Sequence, residues 1–185
     1  QAEKRLYSTN YEKILVRGRF ITEQSTLTSS ENLFGISVVY TLYFSLATLM
    51  LIMVPAETMV TYGADASSWL SPAYSLLKHH DFVMLENPDI RDLYRPPVIP
   101  IFNAVWLGIG GEYGIKLIVF AQIVLLAVTG YMAALIAYQI MPALALPTLI
   151  LLLFNPNSLG TALLIQSEAV FTFLFTASLY FLFRT

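Results

Sequence analysis

Residues 33–54 read LFGISVVYTLYFSLATLMLIMV, from Leu33 to Val54 without one charged side chain. A helix over this run rises about 1.5 Å per residue and so spans roughly the 30 Å hydrocarbon core of a bilayer. It predicts a first transmembrane helix, and the composition agrees. Hydrophobic residues make up 57% of the chain and charged residues 12%, with mean hydropathy +0.67, whereas soluble domains average about 45–50% and about 25%. The chain reads as an all-α integral membrane protein with about four transmembrane helices plus interfacial helices in the first outside loop. A net charge of -2 with no dominant basic block excludes nucleic acid as a partner. Without cysteine there is no disulfide framework, thiolate metal site or cysteine nucleophile.

Before this run, residues 1–32 form a polar tail carrying Lys4, Arg5, Lys13, Arg17 and Arg19, with no apolar core typical of a signal peptide. After it, the loop of residues 56–97 has only Lys78, Arg91 and Arg95 as Lys or Arg. The excess of Lys and Arg in the tail places the N-terminus in the cytoplasm and the loop outside. Within the loop Trp69, Leu70, Ala73, Tyr74, Leu76 and Leu77 recur at helical spacing, which predicts a short amphipathic interfacial helix over residues 66–77, kinked at Pro72. Val98 to Ile109 is apolar but short and leads into GIGGEYG, so it reads as a second interfacial or re-entrant helix. The outside segment thus covers residues 56–113.

Three further runs complete the membrane domain of residues 33–185. Leu117 to Tyr138 returns the chain inward with Gln122 as a polar residue inside it, and Met141 to Phe154, kinked by Pro142 and Pro147, goes out again. Asn155-Pro156-Asn157 reads as the closing turn. Ala169 to Phe183 is the last span, opened by Glu168 outside and closed by Arg184 inside; a helix starting instead at Ser158 would put Glu168 at membrane depth. Gln1 at one end, and Thr185 directly after an apolar run at the other, give both ends the look of cuts.

The residues fitted for chemistry lie in the outside segment. Asp65, Trp69 and Ala73 are four apart and share a helix face, so a carboxylate is followed by an aromatic platform suited to a sugar or lipid phosphate. Asp65 is equally placed to cap the helix behind it. Arg95 precedes Pro96-Pro97, which hold the backbone extended, and reads either as a bidentate phosphate ligand or as an interfacial anchor. Glu168 reads as a functional acid or as a solvated carboxylate at a helix N-terminus. His79-His80-Asp81 lacks metal-ligand spacing, because adjacent histidines on a helix point to different faces. Trp106 and Tyr113 suit an aromatic belt.

In chain order, Asp65-x-x-x-Trp69-x-x-x-Ala73-x-x-Leu76-Leu77, Asp81-Phe82, Tyr94-Arg95-Pro96-Pro97-x-x-Pro100, Gln122 and Ser167-Glu168 resemble the N-terminal part of GT-C membrane glycosyltransferases. The likeness is to the lipid A aminoarabinose transferases and protein O-mannosyltransferases. It implies sugar transfer from a polyprenyl-phosphate donor to a lipid, glycan or protein acceptor, at the outer face of a bacterial inner (plasma) membrane. By resemblance Asp65 is the catalytic base or orients the acceptor, Arg95 contacts the donor phosphate, and Glu168, Trp69 and Tyr94 complete the substrate-binding set. No resident cofactor is implied, although a divalent metal is compatible with the chemistry. Many relatives carry a second acidic residue where this chain has Ala66. Family members also have more helices, so the chain reads as the N-terminal portion of such an enzyme. The alternative is a non-catalytic structural subunit, derived from a GT-C-like protein, with other membrane protein subunits and lipids as partners.

Overall fold

The computed structural model describes residues 30–61, 65–92 and 94–184. The polar tail therefore lies outside the described residues except for its last three positions, which already belong to a helix. The chain divides into two compact units, Gln1–Thr41 and Leu42–Thr185. Helix α1 (Ser30–Met53) runs through the division, and the second unit continues with α2 (Ala56–Thr61), α3 (Ala66–His79), α4 (Val98–Gly110), α5 (Gly114–Ile140), α6 (Ala145–Leu153), α7 (Pro156–Leu163) and α8 (Glu168–Arg184). The described residues are helical apart from turns and one isolated antiparallel bridge between Val83 and Arg91.

Local chemistry in the apolar helices fits a solvent that offers no hydrogen bonds. Thr41 Oγ1 donates to Ser37 C=O at 2.8 Å, Thr129 Oγ1 to Leu125 C=O at 2.7 Å and Ser178 Oγ to Leu174 C=O at 2.8 Å. Each hydroxyl is satisfied by the carbonyl one turn back, as apolar surroundings demand.

Among the described residues, two stretches are long and apolar enough to cross a membrane, Phe34–Met53 and Val98–Ile140. The second is not a single rod. A Cβ on Gly114 would lie 2.8 Å from Leu107 Cα, whereas residues seven apart in an unbroken helix are separated by about 10.5 Å. The chain folds back at Gly111, where φ is 52° and ψ is -119°, a conformation that glycine adopts without a Cβ clash. Within it α5, with 27 residues, is by itself long enough to cross, and α4 packs against α3 and the start of α5.

The expected outward span of residues 141–154 is not one continuous helix. Helix α6 has nine residues, about 13.5 Å of rise, and it continues after a 49° bend into α7. Asn155-Pro156-Asn157 is accordingly a helix start rather than a closing turn. Asn155 Oδ1 accepts from Asn157 N–H at 2.9 Å, and Pro156 takes the first helical position, where its missing N–H costs nothing. Counting the bent pair as one span, up to three segments among the described residues are long and apolar enough to cross, where four were expected. Helix α8 has 17 residues and occupies the position of the fourth.

Packing fixes how these segments run along α5. Leu149 and Leu153 close on Gly130, the Phe154 and Tyr43 rings meet edge to face at 6.4 Å, and Tyr43 Oη donates to Ile123 C=O at 3.0 Å. Further on, Gln122 Nε2 donates to Gln166 C=O at 2.9 Å. From residue 149 to 166 the chain thus moves back along α5 from Gly130 to Gln122, so α6 and α7 together run antiparallel to it. Helix α8 begins two residues later and packs along α5. Tyr43, Ile118, Val119, Leu149, Leu153 and Ile165 are fully buried and form the core of this unit.

Candidate functional site

Asp65 stands at the N-cap position of α3 with φ -106° and ψ 2°, but its side chain makes no capping hydrogen bond. The capping role expected for it is therefore corrected: the carboxylate is turned away, and Oδ1 lies 3.1 Å from Arg95 Nη2. A tertiary charge partner has displaced the local one.

The loop between α3 and α4 delivers Arg95 to that place. Helix α3 continues through Pro72 to His79, two residues past the expected end, and stops at His80, whose φ of 59° marks a left-handed cap donating to Leu76 C=O. The following segment doubles back on itself, with Met84 N–H donating to Ile90 C=O at 2.8 Å and Asp92 N–H to Phe82 C=O at 2.9 Å. This returns the chain to the N-terminal end of α3 just before Pro96-Pro97 start α4.

Ser68 lies at the centre of the cluster. Its Oγ donates to Asp65 C=O at 2.7 Å and accepts from Arg95 Nε at 3.1 Å and Nη2 at 2.7 Å. The guanidinium carbon sits 4.3 Å from the Trp69 ring centroid and 4.8 Å from that of Tyr94. Such stacking contributes about 0.5–2 kcal/mol according to desolvation. Behind Trp69, the fully buried Asn103 of α4 donates through Nδ2 to Trp69 C=O at 3.4 Å and fixes α3 against α4. Arg95 is 18% exposed and Asp65 62%. The Nη1 edge of Arg95 and the Oδ2 of Asp65 make no hydrogen bond among the described residues. The cluster therefore offers a paired donor edge beside a solvated acceptor oxygen.

Four of the five residues singled out from the sequence thus come together: Asp65, Trp69, Tyr94 and Arg95. Trp69 is buried with one face under the guanidinium, while Tyr94 is 78% exposed. Glu168 is exposed at the first turn of α8, and the helix break at residues 164–167 excludes a continuous helix from Ser158. No hydrogen bond or ion pair among the described residues joins Glu168 to the cluster. Ser68, missed in the sequence, carried one local signal: it lies three residues after Asp65 on the same helix face. His79 Nε2 lies 3.4 Å from Leu85 C=O, and no cluster of three or more His, Cys, Asp or Glu able to hold a metal occurs among the described residues.

An open groove of about 430 Å³ lies beside α3, lined by Ala56, Glu57, Val60, Leu70, Tyr74 and Ile115. At about 100° of rotation per residue, Leu70 and Tyr74 project about 140° and 180° away from Asp65. The groove and the charged cluster thus occupy opposite sides of α3. Compared with known proteins, the chain matches no family model, no curated protein and no solved structure.

Proposed function

We propose that the chain is a membrane glycosyltransferase, or the N-terminal portion of one, moving a sugar from a polyprenyl-phosphate donor to a lipid, glycan or protein acceptor at the outer membrane face. In this reading four segments cross the membrane, the N-terminus is cytoplasmic and residues 56–113 lie outside. The observation that carries it is the Arg95–Asp65 pair on Ser68, with a donor edge and an acceptor oxygen left free side by side.

The chemistry asks for both. An acceptor hydroxyl attacks the anomeric carbon from the face opposite the phosphate, the bond from that carbon to the phosphate oxygen breaks, and configuration inverts. The leaving phosphate carries the bonding electrons, which the Arg95 Nη1 donors stabilise, and the acceptor proton passes to Asp65 Oδ2 once the exposed carboxylate has parted from Arg95 and moved to the attacking face. Trp69 and Tyr94 hold the plane of the guanidinium, and Glu168 receives the acceptor.

Asp65→Asn tests this reading, since it keeps shape and a hydrogen bond to Arg95 but cannot take the proton. Transfer from a polyprenyl-phosphate sugar in proteoliposomes is expected to fall by about 10²-fold or more, with expression and insertion unchanged. Retained transfer would sink the assignment. A second reading, a non-catalytic subunit of a larger membrane complex, is favoured by the fact that every hydrogen bond of Arg95 is internal. It expects Asp65→Asn to leave the assembled complex unaltered.

A further inference from the structure

Arg95 is tied to the protein through one edge of its guanidinium. Nε and Nη2 converge on Ser68 Oγ at 3.1 and 2.7 Å. Nε has one hydrogen and each Nη has two, so this leaves one hydrogen on Nη2 and both on Nη1. Those two nitrogens form the fork with which an arginine grips a phosphate through parallel bonds. One prong is already faced by an anion of this chain, since Asp65 Oδ1 lies 3.1 Å from Nη2. Ser68 uses the other Nη2 hydrogen, so a phosphate oxygen on Nη2 and Asp65 Oδ1 exclude each other.

The two partners are held unequally. Arg95 is 18% exposed, fixed in plane by Ser68 and stacked 4.3 Å from the Trp69 ring centroid. Asp65 is 62% exposed, and its side chain makes no capping hydrogen bond. Its backbone is secured separately, because Ser68 Oγ donates to Asp65 C=O at 2.7 Å. The carboxylate can therefore leave without loosening the helix start or the guanidinium. An ion pair this exposed changes a binding constant by no more than about fivefold, whereas a bidentate phosphate grips both prongs.

We propose that Asp65 is the resident anion of the Arg95 fork, an internal competitor that a lipid phosphate displaces, so that filling the donor site and freeing the base are one event. This rests on the phosphate reading of Arg95 given above and adds an order to it. A donor arriving first releases the carboxylate; an acceptor arriving alone meets a base still held by Arg95.

Equilibrium binding of farnesyl phosphate to the detergent-purified chain, with farnesol as the control for the tail, reads the competition. Asp65→Ala removes the competitor and should tighten binding about fivefold, while Asp65→Asn, whose amide oxygen still faces Nη2 without charge, should tighten it about twofold. The substitution that lowers transfer thus raises phosphate affinity. Unchanged or weaker binding in Asp65→Ala overturns the displacement. Equal tightening in both variants overturns it too, because relief of charge repulsion requires no shared prong. Arg95→Gln separates this proposal from the reading beneath it. If farnesyl phosphate binds the unaltered chain no better than farnesol, or Arg95→Gln leaves its affinity unmoved, the phosphate reading fails and the displacement with it. If Arg95→Gln removes the preference for the phosphate but Asp65→Ala does not change it, only the displacement fails.

Discussion

Ser68 Oγ receives both Nε and Nη2 of Arg95 while Trp69 lies 4.3 Å from the guanidinium carbon, so the group is fixed in plane as well as in position. An ammonium is a point charge without a fork or a stacking face. Arg95→Lys keeps the charge and loses the geometry. For a phosphate donor the expected result is a KM raised about tenfold, equivalent to about 1.4 kcal/mol, with a smaller change in kcat; a donor titration that gives an unchanged KM would remove Arg95 from the binding set. The pairing itself was out of reach of local reading. Asp65 before an apolar helical pattern reads as a cap because that motif is local, whereas Ser68 and Arg95 are 27 residues apart and meet only after the loop has doubled back. The residue types were legible in the sequence; that Ser68 links them was not.

Apolar runs were legible at the scale of elements because length and lack of charge suffice to recognise them, as for α1 and α5. Breaks were harder. Asn155-Pro156-Asn157 carries turn chemistry, yet an Asn cap followed by Pro at the first helical position starts a helix equally well, and only packing on α5 decides. Two of the close approaches of glycine to a neighbouring helix, at Gly130 and Gly114, differ in a testable way. At Gly130 an added Cβ meets the end of the Leu153 side chain at 2.9 Å, which yields by a small shift within the core, whereas at Gly114 it meets the Leu107 backbone at 2.8 Å, which cannot yield without moving its helix. Gly130→Ala should cost little, since relief at a flexible side chain is offset by the higher helix propensity of alanine, by about 1 kcal/mol. Gly114→Ala should cost about 1–3 kcal/mol by forcing α4 away from α5. Thermal unfolding in one detergent compares them, and equal midpoints would mean that the hairpin at Gly111 is looser than described.

For the whole molecule, the course of α6 and α7 decides whether Glu168 shares a side with Asp65. A 49° bend is compatible with a broken span or a re-entrant loop. Two contacts favour the broken span: the pair retreats along α5 from Gly130 to Gln122, and Ile165 N–H then approaches Met59 C=O in α2, which follows directly on α1. The end of α7 therefore lies at the level of the C-terminal end of α1, from which the segment carrying Asp65 and Arg95 continues. In cells, single cysteines at Asp89 and Glu168 should be labelled by a membrane-impermeant maleimide added outside, and one at Gln139 only after permeabilisation. If the cysteine at Glu168 is labelled together with that at Gln139 instead, the pair turns back within the membrane. Glu168 then faces the opposite compartment from Asp65 and cannot serve the same acceptor.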